Sequence, residues 1–302
     1  MPRGLLGIEE LTRAEIEAIL ERARVFQPAA GASHRNLDHL RGRIIVTLFY
    51  ETSTRTRISF EIAAKRLGAE AISIAASASS VTKGESLVDT LNTLAAMRPD
   101  AIVMRHWASG APHFLARHLP IPIINAGDGA HEHPTQALLD ARTILDQRRS
   151  LEGLRVAIIG DLAHSRVARS NIYLLSKFRA SLILCGPPTL LPREMAHLAP
   201  GVELTHDIRR AIAGADVIMM LRVQLERLHE PALPPGDYFS EYGLRLEHLQ
   251  EAKPDVLVMH PGPMNRGHEI ASDVADSTRS VILNQVENGI AVRMAVLERV
   301  LA

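Results

Sequence analysis

The sequence predicts an α/β protein with two open parallel-sheet α/β domains joined by interdomain helices. Three observations predict it. Short apolar runs alternate with helix-like stretches along nearly the whole chain. The stretches between the runs are long enough for crossover helices, which parallel strands require. The alternation then starts afresh near residue 151. The chain has 302 residues, of which 46% are hydrophobic and 23% charged, enough for two cores.

The elements follow in order. Residues 11–24 read as an opening helix, and residues 43–50, "RIIVTLFY", as a buried strand. A helix continues through "EIAAKRLGAE" and stops at Gly68. "AISIAA", "GESLVDTLNTLAAM" and "DAIVMRH" give strand, helix and strand. "GAPHFLARHL" is a helix, residues 121–127 a strand, and residues 134–149 a long helix. In the second series "LRVAIIGD" is a strand, "SRVARSNIYLLSKF" a helix and "ASLILCGP" a strand. A weak strand "VELTHD" and a short helix "IRRAIAGA" come next. Residues 216–223 and 255–262 are strands, and the chain closes on a helix. The expected division is a first domain over 1–134, an interdomain helix over 135–150 and a second domain over 151–284, with the terminal helix 285–302 packing back on the first. Residues 228–243 are rich in Pro and Gly and read as a lid loop.

Composition narrows the function classes. Lys+Arg and Asp+Glu both number 34, so the net charge is zero and no nucleic acid is expected as partner. No apolar run reaches the length of a membrane span, and no basic-then-apolar leader opens the chain. The single cysteine, Cys185, suits a reducing cytoplasm. Thirty of the 34 basic residues are arginine.

In parallel sheets, ligands bind beyond the carboxyl ends of the strands. After the first strand stand Ser53, Thr54, Arg55, Thr56 and Arg57; after "AIVM", Arg105 and His106. His131, His133 and Gln136 follow the 121–127 strand. Arg166 follows "RVAIIGD", Arg222 and Gln224 follow "DVIMM", and His260, Gly262 and Pro263 follow "VLVM". The arginines, without neighbouring acids, mark an edge built for anions. At S-T-R-T-R a helix begins, so unpaired N–H groups and the helix dipole join three hydroxyls and a guanidinium fork around a phosphate-sized anion. There is no G-x-x-x-x-G-K-S/T loop and no triple-glycine dinucleotide turn, so the phosphate belongs to a small substrate. His106, His131, His164 and His268 fit no metal-ligand spacing, and no metal is expected.

Taken together, "FYETSTRTRISFE", "KGES", "MRH", "HPTQALLD", "LRVQLER" and "MHPGPMNRGHEI" resemble the carbamoyltransferases, in the family's order and over nearly the whole chain. "HPGP" in place of a cysteine-containing H-C-L-P, together with "LRVQLER", points to the aspartate rather than the ornithine branch. The resemblance implies transfer of the carbamoyl group of carbamoyl phosphate to L-aspartate, an early step of pyrimidine synthesis, with no metal or organic cofactor. It also implies a homotrimer with shared active sites. A higher assembly with a regulatory chain or dihydroorotase stays open.

By that resemblance Ser53, Thr54, Arg55 and Thr56 hold the phosphate. Arg105 reaches both phosphate and carbonyl oxygen, His133 donates to that oxygen, Gln136 holds the carbamoyl NH2, and Gly262 and Pro263 present backbone to it. Arg166 and Arg222 each take one carboxylate of aspartate, and Gln224 its amine or a carboxylate. Lys83, with Ser79 or its neighbour Ser80, enters from the adjacent subunit and touches phosphate and aspartate. Glu85 is expected to pair with Arg55 or Arg105. A cis bond is expected before Pro261 or Pro263.

Overall fold

The computed structural model describes residues 4–31, 37–75, 87–223 and 235–301. The chain divides into unit 1, Met1–Arg142 with Glu287–Ala302, and unit 2, Thr143–Val286.

Unit 1 contains β1 (Gly4–Leu5), α1 (Arg13–Gly31), β2 (Ile44–Phe49), α2 (Thr54–Arg66), β3 (Glu70–Ala75) and α3 (Leu87–Ala96). It continues with β4 (Ala101–His106), α4 (Ala111–His118), β5 (Ile123–Asp128), the start of α5 (Pro134–Gln147) and most of α10 (Ile282–Leu301). Its five strands pair in parallel in the order β1-β5-β4-β2-β3. The strands are apolar on both faces, as a sheet covered by helices requires. Val46, Leu48, Ile102, Met104 and Ile123 pack against Leu91, Leu94 and Leu115 of the helices. Helix α1 buries Ile16, Ile19, Leu20, Ala23 and Phe26; truncating a core phenylalanine such as Phe26 costs about 3–5 kcal/mol.

Unit 2 holds β6 (Arg155–Ile159), α6 (Arg166–Ser176), β7 (Ser181–Cys185), β8 (Glu203–Thr205), α7 (Ile208–Ile212) and β9 (Val217–Met220). Then come α8 (Pro235–Tyr242), β10 (Leu257–Met259), α9 (Ser272–Ala275) and the first turn of α10. These strands are also all parallel, in the order β10-β9-β6-β7-β8. Ile159, Ile183, Ile218, Val258 and Tyr238 are among its core residues. Cys185 lies in that core, and burial pushes its thiol up to about 12, so it is not a nucleophile.

The structure departs from expectation in several places. Strand β1 is an addition: two residues carry no periodicity, and Gly4 (φ 138°) is held by its pairing with Ile123. A Cβ there would overlap the Ile123 carbonyl oxygen, so only glycine can bring the backbones this close. Helix α1 runs past the expected end to Gly31 and contains Pro28. The end of the expected lid is helical, as α8; residues 224–234 lie outside the described residues. The division between units falls inside α5 and α10 rather than at their ends. Of the two expected prolyl positions, Gly262–Pro263 is cis.

Glu298 of α10 binds α1 within unit 1. It accepts from Arg22 Nε and Nη2 (2.5 and 2.6 Å) and lies 2.6 Å from His39 Nδ1. The Arg22 hydrogen bonds, against the opposing effect of burial, hold this carboxyl below the ordinary range. A depressed carboxyl stabilises the fold above its unfolded pKa, about 4.3, and that stability is lost as pH falls through the folded value. Glu298→Gln is therefore expected to lower stability at neutral pH and to flatten its decline below about pH 5, as read by urea midpoints across pH. An unchanged acid slope would refute the assignment.

Candidate functional site

Crossovers reverse direction at one place in each sheet. In unit 1 the chain moves outward from β2 to β3, then returns to β4 on the other side of β2. In unit 2 it moves from β6 through β7 to β8, then returns to β9. At such a switch point adjacent loops part and leave a crevice beyond the strand ends.

In unit 1 the switch point is flanked by Ser53–Thr56, which follow β2, and by Arg105 near the end of β4. Ser53 occupies the N-cap of α2 with φ −159° and makes no side-chain cap hydrogen bond. Its hydroxyl does not do the usual work of a serine here. Thr54 and Arg55 are exposed and Thr56 is buried, so a guanidinium and hydroxyls stand beside the first-turn amide groups of the helix. Arg105 Nε lies 3.2 Å from Glu51 Oε2, and its Nη1 donates to the Ala126 carbonyl at 3.5 Å. The arginines are thus not without acids: Glu51, inside the same motif, was overlooked, and Arg57 lies 3.7 Å from Glu61. Glu85, expected to pair here, lies outside the described residues, as do Ser79, Ser80, Lys83 and Gln224.

His133 and Gln136 open α5, and both are buried. The His133 carbonyl accepts from the Gln136 and Ala137 amides. Gln136 Nε2 donates to Asp140 Oδ1 at 2.9 Å. With that nitrogen committed, Oε1 is the atom of Gln136 that can accept an N–H. The segment leading here is held by buried carboxylates. Asp128 accepts from the Gly110 and Glu132 amides and from Asn125 Nδ2, and lies 3.0 Å from His131 Nδ1. Burial alone would raise the Asp128 pKa, but the hydrogen bonds from His131, Asn125 and Gly110 outweigh it and hold it down; the same contact raises His131. Glu132 accepts from the Ile8 and Glu9 amides and so ties this turn to the segment after β1. His106 is lowered, first by burial, and its Nδ1 accepts the Ala108 amide at 2.8 Å, so the neutral ring carries its proton on Nε2.

In unit 2 the switch point is flanked by Arg166, first residue of α6 after β6, and by Arg222, two residues beyond β9. Arg166 is buried and Arg222 half-buried. Asp161 lies 2.9 Å from His164 Nδ1. Ser165 caps α6 by accepting the Ala168 amide at 3.1 Å. Just beyond strand β10, which pairs with β9, His260 Nδ1 accepts the Gly262 amide at 2.8 Å and Nε2 lies 3.2 Å from the buried Glu269. That pair sets the course of the Gly262–Pro263 turn, and Glu269 was not singled out from sequence because nothing in its spacing announces a partner nine residues back.

Two family models match: the carbamoyl-phosphate-binding domain of aspartate/ornithine carbamoyltransferase over residues 3–146, and the Asp/Orn-binding domain over 152–300. The chain belongs to the aspartate/ornithine carbamoyltransferase family. Among its relatives, the aspartate carbamoyltransferase catalytic subunit of Solibacter usitatus is 75% identical over 301 residues, covering 100% of both chains. That of Koribacter versatilis is 55% identical, covering 100% of this chain and 98% of the other. A Trypanosoma cruzi aspartate transcarbamoylase solved with carbamoyl aspartate and phosphate superposes with a TM-score of 0.89 at 34% identity, covering 99% of this chain and 96% of that one. The Pyrococcus furiosus ornithine carbamoyltransferase has the same TM-score at 31% identity, with the same coverage. The carbamoyltransferase fold therefore does not choose the acceptor; side chains do.

The two N-cap serines give a direct comparison. Ser165→Ala is expected to cost about 1 kcal/mol, the ordinary worth of a cap. Ser53→Ala is expected to cost well under that, because no cap hydrogen bond is lost. Equal losses in denaturant unfolding would show Ser53 to be a structural cap.

Proposed function

We propose that the chain transfers the carbamoyl group of carbamoyl phosphate to the amine of L-aspartate, giving N-carbamoyl-L-aspartate and phosphate in pyrimidine (UMP) synthesis. The observation that carries the reading is the pair Arg166 and Arg222 flanking the unit 2 switch point. Two guanidinium forks suit the two carboxylates of one dianion. Relatives at high identity are aspartate carbamoyltransferase catalytic subunits, and a structural neighbour was solved with carbamoyl phosphate and aspartate.

In this reading Ser53, Thr54, Arg55 and Thr56 bind phosphate at the start of α2. Arg105 and His133 donate to the carbamoyl carbonyl oxygen, Gln136 accepts from the carbamoyl NH2, and the backbone of Gly262 and Pro263 borders the group. The aspartate amine attacks the carbonyl carbon, forming the C–N bond. The oxygen takes up negative charge, and the C–O bond to phosphate then breaks with the electron pair leaving on phosphate, which carries off the proton that the amine gives up. A donor aimed at the developing oxyanion is worth about 3–4 kcal/mol. Phosphate leaves already charge-compensated by Arg55 and the α2 amides, which makes it a better leaving group. The chemistry asks for no cofactor. Gln224 assists at the aspartate amine or a carboxylate. Ser79 and Lys83 come from a neighbouring subunit of a cytoplasmic homotrimer, where the compact Lys83 charge serves phosphate and carboxylate together.

Arg222→Ala is expected to raise the KM for aspartate by more than about tenfold while changing the carbamoyl phosphate KM little, a loss of ground-state binding. A carbamoyl-aspartate assay with ornithine as control acceptor reads both. Equal loss for the two substrates, or turnover of ornithine, would overturn the acceptor assignment.

Shared sites are tested by complementation. Lys83→Ala and His133→Ala chains are each expected to be inactive. Dissociated and reassociated together, they form hybrids in which an intact Lys83 meets a neighbour's intact His133, so activity returns. No recovery from any mixing ratio means that each site is built from one chain.

A further inference from the structure

The turn that precedes His133 gathers a set of ligand atoms for which the proposed carbamoyl transfer has no use. His113, Asp128 and His131 each offer one atom, and the three atoms lie within 4.8 Å of one another. They come from α4, the end of β5 and the following turn, so no sequence spacing announces them. The half-buried His113 ring lies edge-on to His131 with centroids 5.2 Å apart.

Three details distinguish this cluster from a chance meeting of polar groups. Asp128 is fully buried beside the two imidazoles. His113 Nδ1 is buried and, among the described residues, has no hydrogen-bond partner. A buried nitrogen left so costs about 1–3 kcal/mol unless something takes it. The opposite nitrogen of the same ring, Nε2, lies 3.5 Å from Glu10 Oε1. With Nε2 beside that carboxylate, Nδ1 is the nitrogen left for a ligand, and a carboxylate behind the opposite nitrogen is what orients metal-bound histidines.

We propose that His113, Asp128 and His131 bind one divalent transition-metal ion of the imidazole-preferring class, with zinc as the first candidate. Two imidazole nitrogens and one carboxylate oxygen are a three-ligand zinc set that leaves a fourth position for water. At metal–ligand distances of about 2.0–2.2 Å the ligand atoms must draw together by roughly an ångström from their present span. Rotation of the two half-buried rings supplies this without moving the backbone. Asp128 stays in place, keeping its Asn125 and Glu132 hydrogen bonds through Oδ1 and its Gly110 hydrogen bond through Oδ2, and the Oδ2 lone pair that faces His131 goes to the ion. The ion thereby clamps α4 onto the turn that carries His133. It touches no atom assigned to the carbamoyl transfer, so its role is to stiffen the turn, and hard ions such as magnesium are excluded by the imidazoles.

The test is titration calorimetry of zinc into the chelator-treated full chain. One ion per chain with a Kd of about 1 µM or tighter is expected. Both His113→Ala and His131→Ala should weaken that binding by more than about tenfold, and excess magnesium should not compete. His113→Gln, which keeps the side-chain bulk, gives the same reading if the alanine variant fails to fold. Cobalt offered to the unaltered chain should produce the visible absorption of a nitrogen- and oxygen-ligated site with low coordination number, and His113→Gln should abolish it. Absence of a stoichiometric site in the unaltered chain, or affinity retained in the folded His113 variants, would overturn the proposal.

Discussion

A strand that pairs in parallel with its neighbour must be reached by a crossover, and the crossover must leave from the carboxyl end. Among the described residues ten strands obey that requirement, five in each sheet. All the loops that follow strands in a given sheet therefore emerge on one edge, together with the N-termini of the helices that return. The edge acquires amide groups and positive dipole ends before any side chain is considered. Direction reverses between β2 and β4, and between β6 and β9, and such a reversal is where parallel sheets leave room for a ligand. Ser53–Thr56 and Arg105 stand at the first, and Arg166 and Arg222 at the second. The arginines reinforce a field that the topology has already created.

Holding such an edge in shape takes interactions of a different kind. The turn between β5 and α5 carries His133, and an irregular turn has no ladder of its own. Here it is built around buried carboxylates: Asp128 takes two backbone amides and a side-chain amide, and Glu132 takes the Ile8 and Glu9 amides. A buried carboxylate is costly until it is fully hydrogen-bonded, and then it tolerates little displacement. The pairing of β1 with β5 brings Ile8 within reach of Glu132. A two-residue strand thus has an effect far beyond its own length.

This explains which parts of the molecule could be read from its sequence. Apolar runs with crossover helices announce parallel sheets, and polar residues at the ends of those runs announce the edge. The strands over residues 43–50 and 216–223, and the arginines after them, were legible on that basis. Strand β1 was not, because Gly4 and Leu5 present no period and their role arises only through Ile123. The start of α8 was hidden by Pro235 and Gly236, which read as loop residues but can also open a helix. The Glu51 contact with Arg105 and the Glu269 contact with His260 were missed for the same reason as His113: each joins groups separated by loops or strands, and side-chain chemistry at such distances leaves no pattern along the chain.

The choice of arginine over lysine at these edges also bears on the acceptor. A guanidinium stays charged at any physiological pH and offers donors in a plane that matches a carboxylate. Arg166 and Arg222 at one switch point therefore set a permanent positive field where the acceptor's side chain must lie in the proposed reaction. Aspartate brings a second carboxylate into that field and gains from it. Ornithine would bring an ammonium, which meets like charge and finds no acceptor in either guanidinium. Discrimination on this basis acts by penalising the wrong substrate as much as by rewarding the right one. One fold superposes equally well on an aspartate and an ornithine enzyme, so in the proposed reaction the choice of acceptor falls to side chains such as Arg166 and Arg222 and not to the sheets.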